Sequence, residues 1–341
     1  MLPACGTMYL AQAARGQWQV MHARKPIDAV IADPTTADKV RTRLTEVRAA
    51  RQFATRELGL PDNPSYRTYA DLKRDYVVWN VVAAPEFSVH PQRWCFPIAG
   101  CVAYRGYFAE ASATKFAAGL RHRGFDVYVG GVPAYSTLGK FSDPVLNTML
   151  SYGSNELAAI IFHELSHQVV YVAGDSEFNE AFAVTVEETG LQRWLKAQGH
   201  ESELARYTTR RQRQQQYFAL FTRTRAQLAA LYAEKIPVDA MRERKQALFA
   251  DLARDIRALD TKFGGRSGYN EWIEEGLNNA HLASVATYYD CVPGFERLLA
   301  LQNGNLPQFY SSVRDLTRKP REQRHKLLCT TPLPESDSDS S

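Results

Sequence analysis

The sequence predicts an α+β protein in which helix predominates, with a small mixed sheet and a long helical hairpin. Three observations carry that expectation. Runs of β-branched and aromatic residues, cut by Pro and Gly, crowd into residues 65–132. On either side of them apolar residues recur at helical spacing. The chain has 341 residues, 45% of them hydrophobic, which is enough to bury a sizeable core and excludes disorder for most of it.

One compact domain is expected, in six consecutive sections. Residues 1–60 are helical: Tyr9-Leu10-Ala11 opens one segment, and the start signal Asp33-Pro34-Thr35-Thr36 opens an amphipathic run over 37–58 that Pro61 and Pro64 stop. Section 61–150 is strand-rich, with extended runs at 76–82, 101–104 and 125–129 and one helix near 110–122. Section 151–200 reads as two helices, 154–173 and 177–198, joined at Gly174-Asp175-Ser176. The helical hairpin, 201–262, turns at Ile236-Pro237. After Gly264-Gly265 comes a C-terminal helical section, 263–331, with a helix over 269–289; the Ser/Asp-rich tail, 332–341, reads as disordered.

Charge and hydropathy remove several function classes. The 41 basic and 37 acidic side chains leave a formal charge of +4, which demands neither nucleic acid nor anionic lipid as a partner. No run reaches the roughly 18 apolar residues that a membrane-crossing helix needs. Six arginines and no acid lie between Leu204 and Ala233. A nucleic-acid arm is one reading of them, but the tyrosines and leucines there recur at helical spacing, so a solvated helix pair is expected and no nucleic acid.

The cysteines bear on location. Met1-Leu2-Pro3-Ala4-Cys5-Gly6 is similar to the end of a bacterial lipoprotein signal, which acylates the Cys. With a lipid on Cys5, Cys95 and Cys101 can close a short loop around Pro97 and Gly100, leaving Cys291 and Cys329 paired by elimination. A lipid-anchored periplasmic protein is expected; if the Cys5 match is accidental, a cytoplasmic one with reduced thiols. No CxxC occurs, which argues against a zinc ribbon or a thioredoxin-type site.

The most informative string is His163-Glu164-Leu165-Ser166-His167. Histidines four apart share one helical face, so both imidazoles can reach one zinc ion while Glu164 projects beside them. A third protein ligand is needed, with the fourth position left for water or substrate. Glu180 opens the next helix and can return to the metal across an antiparallel pair, with Glu187 and Glu188 as alternatives one to two turns on.

Asn179-Glu180 before Ala181 and Phe182 resembles the third-ligand motif of the gluzincin metallopeptidases, and the string through Gln168 is similar to their aminopeptidase branch. The linker between the helices is shorter than the usual gluzincin one. Residues 94–108, 131–139, the His163 helix, and 277–288 together resemble the putative aminopeptidase family found in proteobacteria, almost end to end. That resemblance implies a zincin-like fold, one Zn²⁺, a peptide substrate, and a lipoprotein signal at Cys5. It also implies that Glu164 is the general base and acid, with His163, His167 and Glu180 on the metal.

An oxyanion donor from outside the zinc helices is expected, with Tyr288 and Tyr135 as candidates and His281 behind them; each is equally readable as a satisfied core residue. Asn179 is expected to orient the site. For an α-ammonium group Glu156, Glu187 and Glu188 lie near enough in sequence, although the usual Gly-Ala-Met-Glu-Asn motif is absent. The loop 130–137 is a candidate edge for substrate backbone. The expected activity is zinc aminopeptidase, with a zinc endopeptidase or a non-catalytic zinc-stabilised envelope binding protein as alternatives; oligomeric state is not legible.

Overall fold

The computed structural model describes residues 4–96 and 100–329, with side chains from residue 9 onward. The expectations for the tail 332–341, for the lipid on Cys5 and for a loop through Pro97 lie outside the described residues. Among the described residues no helix is long and apolar enough to cross a membrane.

The chain is mostly helical with small sheets. It opens with α1 (Ala4–His22), β1 (Arg24–Pro26), α2 (Ile27–Ala32) and α3 (Asp38–Arg56). The strand-rich section holds β2 (Thr68–Ala70), β3 (Val78–Pro85), β4 (Trp94–Phe96), β5 (Gly100–Val102), β6 (Arg105–Tyr107), α4 (Glu110–His122), β7 (Phe125–Val132) and β8 (Val145–Leu146). These make three small sheets instead of one. The order β6-β3-β7 is antiparallel throughout; β1-β2-β8 is mixed, with β2 and β8 parallel; β4 and β5 form a separate antiparallel pair. Cys95 faces Cys101 across that last pair and is bonded to it, and Cys291 is bonded to Cys329, the pairing that elimination left.

The helical remainder is α5 (Ser154–Ser166), α6 (Ser176–Ala197), α7 (Glu201–Tyr232), α8 (Val238–Phe263), α9 (Tyr269–Glu275), α10 (Asn279–Tyr289), α11 (Val292–Leu301), α12 (Leu306–Thr317) and α13 (Arg321–Leu328). The expected strands shift by a few residues, the N-terminal helical section also holds β1, and two helices differ from expectation. Helix α5 ends at Ser166 and not near 173, because a side chain takes over the backbone partners beyond it: the Asn179 amide accepts from Val172 N and donates to Val172 O, both at 2.8 Å. The helix expected over 269–289 is two. Gly276 sits at φ +97, a region that L side chains rarely adopt, and Asn278 caps α10 by accepting from Ala280 N.

The largest apolar cluster packs Phe162, Phe178, Phe182, Phe295 and Phe309 from α5, α6, α11 and α12 onto Leu44 and Val47 of α3. It fixes α5 against α6 as an antiparallel pair. A second cluster closes the hairpin α7/α8 over α9 and α10 through Phe221, Leu228, Phe249 and Ile256. Between these two bodies α10 runs past α6, which brings residues from the far end of the chain to the α5/α6 pair.

Candidate metal centre

His163 lies in the last turn of α5 and His167 one residue beyond its end, still with helical backbone (φ −60°, ψ −17°), so the expected common face survives the early termination. Glu180, on the second turn of α6, faces them. Its Oε2 is 3.3 Å from His163 Nε2 and 3.6 Å from His167 Nε2. Ligand bonds of about 2.0–2.1 Å at tetrahedral angles put neighbouring donors about 3.3–3.4 Å apart, close to these two separations. The three residues, whose donor atoms all lie within 4.8 Å of one another, therefore fit a metal ion.

Electrostatics agree with the geometry. Burial opposes charge on His163, yet Glu180 and Glu187 outweigh it and lift the imidazole pKa well above its usual value. Burial likewise pushes Glu180 up, but His167 and His163 overcome this and hold it down at about 2. The anionic Glu180 carboxylate, buried against His163, asks for positive charge, which a protonated His163 ring or a bound metal ion supplies. Glu187, weighed above as an alternative ligand, instead sits 2.9 Å from His163 Nδ1 and holds the ring from behind. Glu180 and Glu187 are two turns apart on one face of α6, so one helix provides both the donor and the support for the opposing donor.

Glu164 is buried beside the cluster without entering it. Its pKa is raised by burial, against the pull of His163 and His167. Tyr288, on the last turn of α10, lies within the field of Glu180: that carboxylate first, and burial second, push its hydroxyl pKa well above the ordinary phenol value. Tyr104, between β5 and β6, was not singled out from sequence. Burial raises it most, then Glu180, Tyr171 and Glu164. It belongs to the same stretch, 94–108, that carried the family resemblance, but nothing in local spacing marks it.

Other expected residues are placed elsewhere. The Tyr135 hydroxyl donates to Gln17 and its ring meets Phe108 edge-on, so its polar group is spent away from the histidines. His281 accepts from Asn278 N at the start of α10 and packs on Tyr128 and Trp272; burial lowers its pKa to about 4. The Asn179 amide is spent on both backbone groups of Val172, where it orients the turn. Glu156 pairs with Arg210 at 2.6 Å and Glu188 with Arg211 at 2.7 Å. In the loop 130–137, Gly130 and Gly131 lie under the Tyr128 and Tyr76 rings, with no room for a Cβ.

The arginines of α7 are engaged internally. Arg206, Arg210, Arg211, Arg223 and Arg225 pair with Glu203, Glu156, Glu188, Asp255 and Asp290, and Arg213 donates to the Phe263 carbonyl. Helices α7 and α8 form the helix pair that the periodicity predicted.

Fold and site together define a helix-rich α+β protein with a three-donor, metal-competent centre on an antiparallel helix pair. Residues 8–328 match the family described as "Putative aminopeptidase", and the chain belongs to that family. No curated protein and no solved structure matches it. Membership points to a peptidase.

Proposed function

We propose that the protein is a zinc-dependent peptidase that removes N-terminal residues from peptides. The observation that carries this reading is the convergence of His163, His167 and Glu180 at tetrahedral spacing with Glu164 buried alongside but outside the donor set. A structural site closes four protein ligands and needs no base; here three donors and a free carboxylate are present.

When bound, Zn²⁺ supplies Lewis acidity towards a water and a scissile carbonyl. Glu164 takes the water's proton as general base and returns it to the leaving amine. Tyr288 donates to the oxyanion that develops at the carbonyl, with Tyr104 on the same centre. Glu187 keeps His163 in the tautomer that presents Nε2 to the ion. The family description supports exopeptidase action. We also propose an oxidising, periplasm-like compartment with the lipid on Cys5; two disulfides support it.

The test is hydrolysis of an aminoacyl-anilide panel and its N-acetylated twins by zinc-loaded protein and by Glu164→Gln. Cleavage of free-amine substrates alone, lost in the variant, is the expected result. Cleavage of the blocked twins shows an endopeptidase. Stoichiometric zinc without cleavage of either set overturns the enzymatic reading.

A further inference from the structure

The turn between the two metal helices is gripped by side chains from the far end of the chain. Asp175, immediately before α6, is 1% exposed, and both its oxygens are taken. Oδ2 accepts from Arg324 Nε at 3.0 Å and Nη2 at 2.6 Å, and Oδ1 accepts from His325 Nε2 at 2.7 Å. Arg321 reaches Glu177 one residue into α6 at 3.4 Å. The Arg324 guanidinium also lies 5.4 Å from the centre of the Phe178 ring, which is on α6 between Asp175 and Glu180. Arg321, Arg324 and His325 all belong to α13.

That helix has little hold of its own. It is eight residues long, and only Arg324 and Leu328 in it are buried. A helix of this length is far below the roughly 12–15 residues at which isolated helices become even marginal in water. What docks it, besides the Asp175 cluster and Leu328 in the main apolar cluster, is the Cys291–Cys329 bond to the start of α11, where a Cβ on Gly294 would come within 2.0 Å of the Leu328 carbonyl. On the other side of the same turn, Arg93 donates to the carbonyls of Gly174 and Cys101, so the β4/β5 pair with its own disulfide braces the neighbouring residue.

Glu180 lies five residues, about one and a half turns, beyond Asp175. The rotation of α6 at its first turn therefore sets where the Glu180 carboxylate points. Each residue of helical slip turns it by about 100°, while a metal donor must be held within about 0.5 Å. We propose that α13 is a latch for the metal centre: Asp175 is a positioning residue for Glu180, and the Cys291–Cys329 disulfide keeps the latch closed. Metal affinity then depends on the redox state of that pair. Opening it takes a dithiol reductant: exchange breaks the S–S bond, passes two electrons to the cysteines as two thiols, and closes the reductant into its own disulfide. The latch rests on the metal-centre reading above.

The experiment measures zinc affinity of the full chain by competition with a chromogenic chelator. The Cys291→Ser/Cys329→Ser double variant stands for the opened latch, because free thiols within 4.8 Å of His325 would themselves compete for the ion. Asp175→Asn opens the grip with the disulfide intact and keeps the result readable if the double variant folds poorly. Both are expected to weaken zinc binding about 10- to 100-fold, the range for groups that orient metal ligands, with far-ultraviolet circular dichroism unchanged and turnover restored at saturating zinc. Arg324→Lys, which keeps one charged donor, is expected to recover part of the loss relative to Arg324→Met. Unchanged affinity in both the double variant and Asp175→Asn overturns the latch. Absence of zinc binding in the oxidised wild type, or equal binding by His163→Ala, overturns the metal-centre reading and the latch with it.

Discussion

Glu187→Gln separates a carboxylate that supports a metal ligand from one that does chemistry. Glu187 Oε2 is 2.9 Å from His163 Nδ1, and the pair is only partly exposed, with side chains 31% and 15% accessible. A neutral hydrogen bond contributes about 1 kcal/mol net and a charge-assisted one about twice that. Gln keeps an acceptor and removes the charge, so the loss is about 1 to 1.5 kcal/mol, or about tenfold in metal affinity. Glu187→Ala also leaves the buried Nδ1–H of His163 without its partner, which raises the loss towards about 100-fold. Chelator competition and titration calorimetry read both values. Glu164→Gln, measured in parallel, should bind metal as the wild type does and lose turnover. If Glu187→Gln and Glu187→Ala both bind metal with wild-type affinity, Glu187 does not support His163, and the reasoning from the 2.9 Å contact fails.

Two further outcomes follow from the placement of buried polar groups. Tyr288→Phe should lower kcat about 10²- to 10³-fold with zinc content unchanged, as expected for loss of one oxyanion donor, whereas Tyr135→Phe, whose hydroxyl is spent on Gln17, should keep kcat near wild type. Steady-state kinetics on the two variants decide the assignment, and the reverse ranking refutes it. Asp143 is buried, with Oδ2 accepting from Thr137 and Oδ1 without a partner among the described residues, and burial raises its pKa to about 6. The folded state therefore holds this proton more tightly than the unfolded chain, where an Asp titrates near ~3.9. Stability from this group is full below about pH 4 and falls as pH rises through about 6, by about 3 kcal/mol in all. Asp143→Asn should flatten that fall in urea unfolding between about pH 4.5 and about pH 7; parallel profiles for the two proteins would exclude it.

Much of the architecture is local and was legible. The α4 helix starts and ends where Glu110 and His122 suggested, and the hairpin turns at Ile236-Pro237, because Pro and helical periodicity act over a few residues. The 154–173 helix was read too long for the opposite reason. Nothing within that segment says that Asn179 will bind both backbone groups of Val172 from the next helix.

The same division runs through the site. By itself the sequence determined that His163 and His167 share a face with Glu164 beside them, since a spacing of four residues sets direction on any helix. It also favoured Glu180 as the third donor, with Glu187 and Glu188 as alternatives. Only the tertiary structure set where each carboxylate lies: Glu180 against the histidine pair, Glu187 on the far nitrogen of His163, Glu188 on Arg211. It likewise set Tyr288 and Tyr104 within the field of Glu180, turned the Tyr135 hydroxyl to Gln17, and set Arg324 and His325 on Asp175. These partners are separated by up to about 150 residues along the chain. No local periodicity encodes where two such segments meet; the packing of α5 and α6 with α11 and α12 in one apolar cluster, and of α10 between that cluster and the hairpin, decides it.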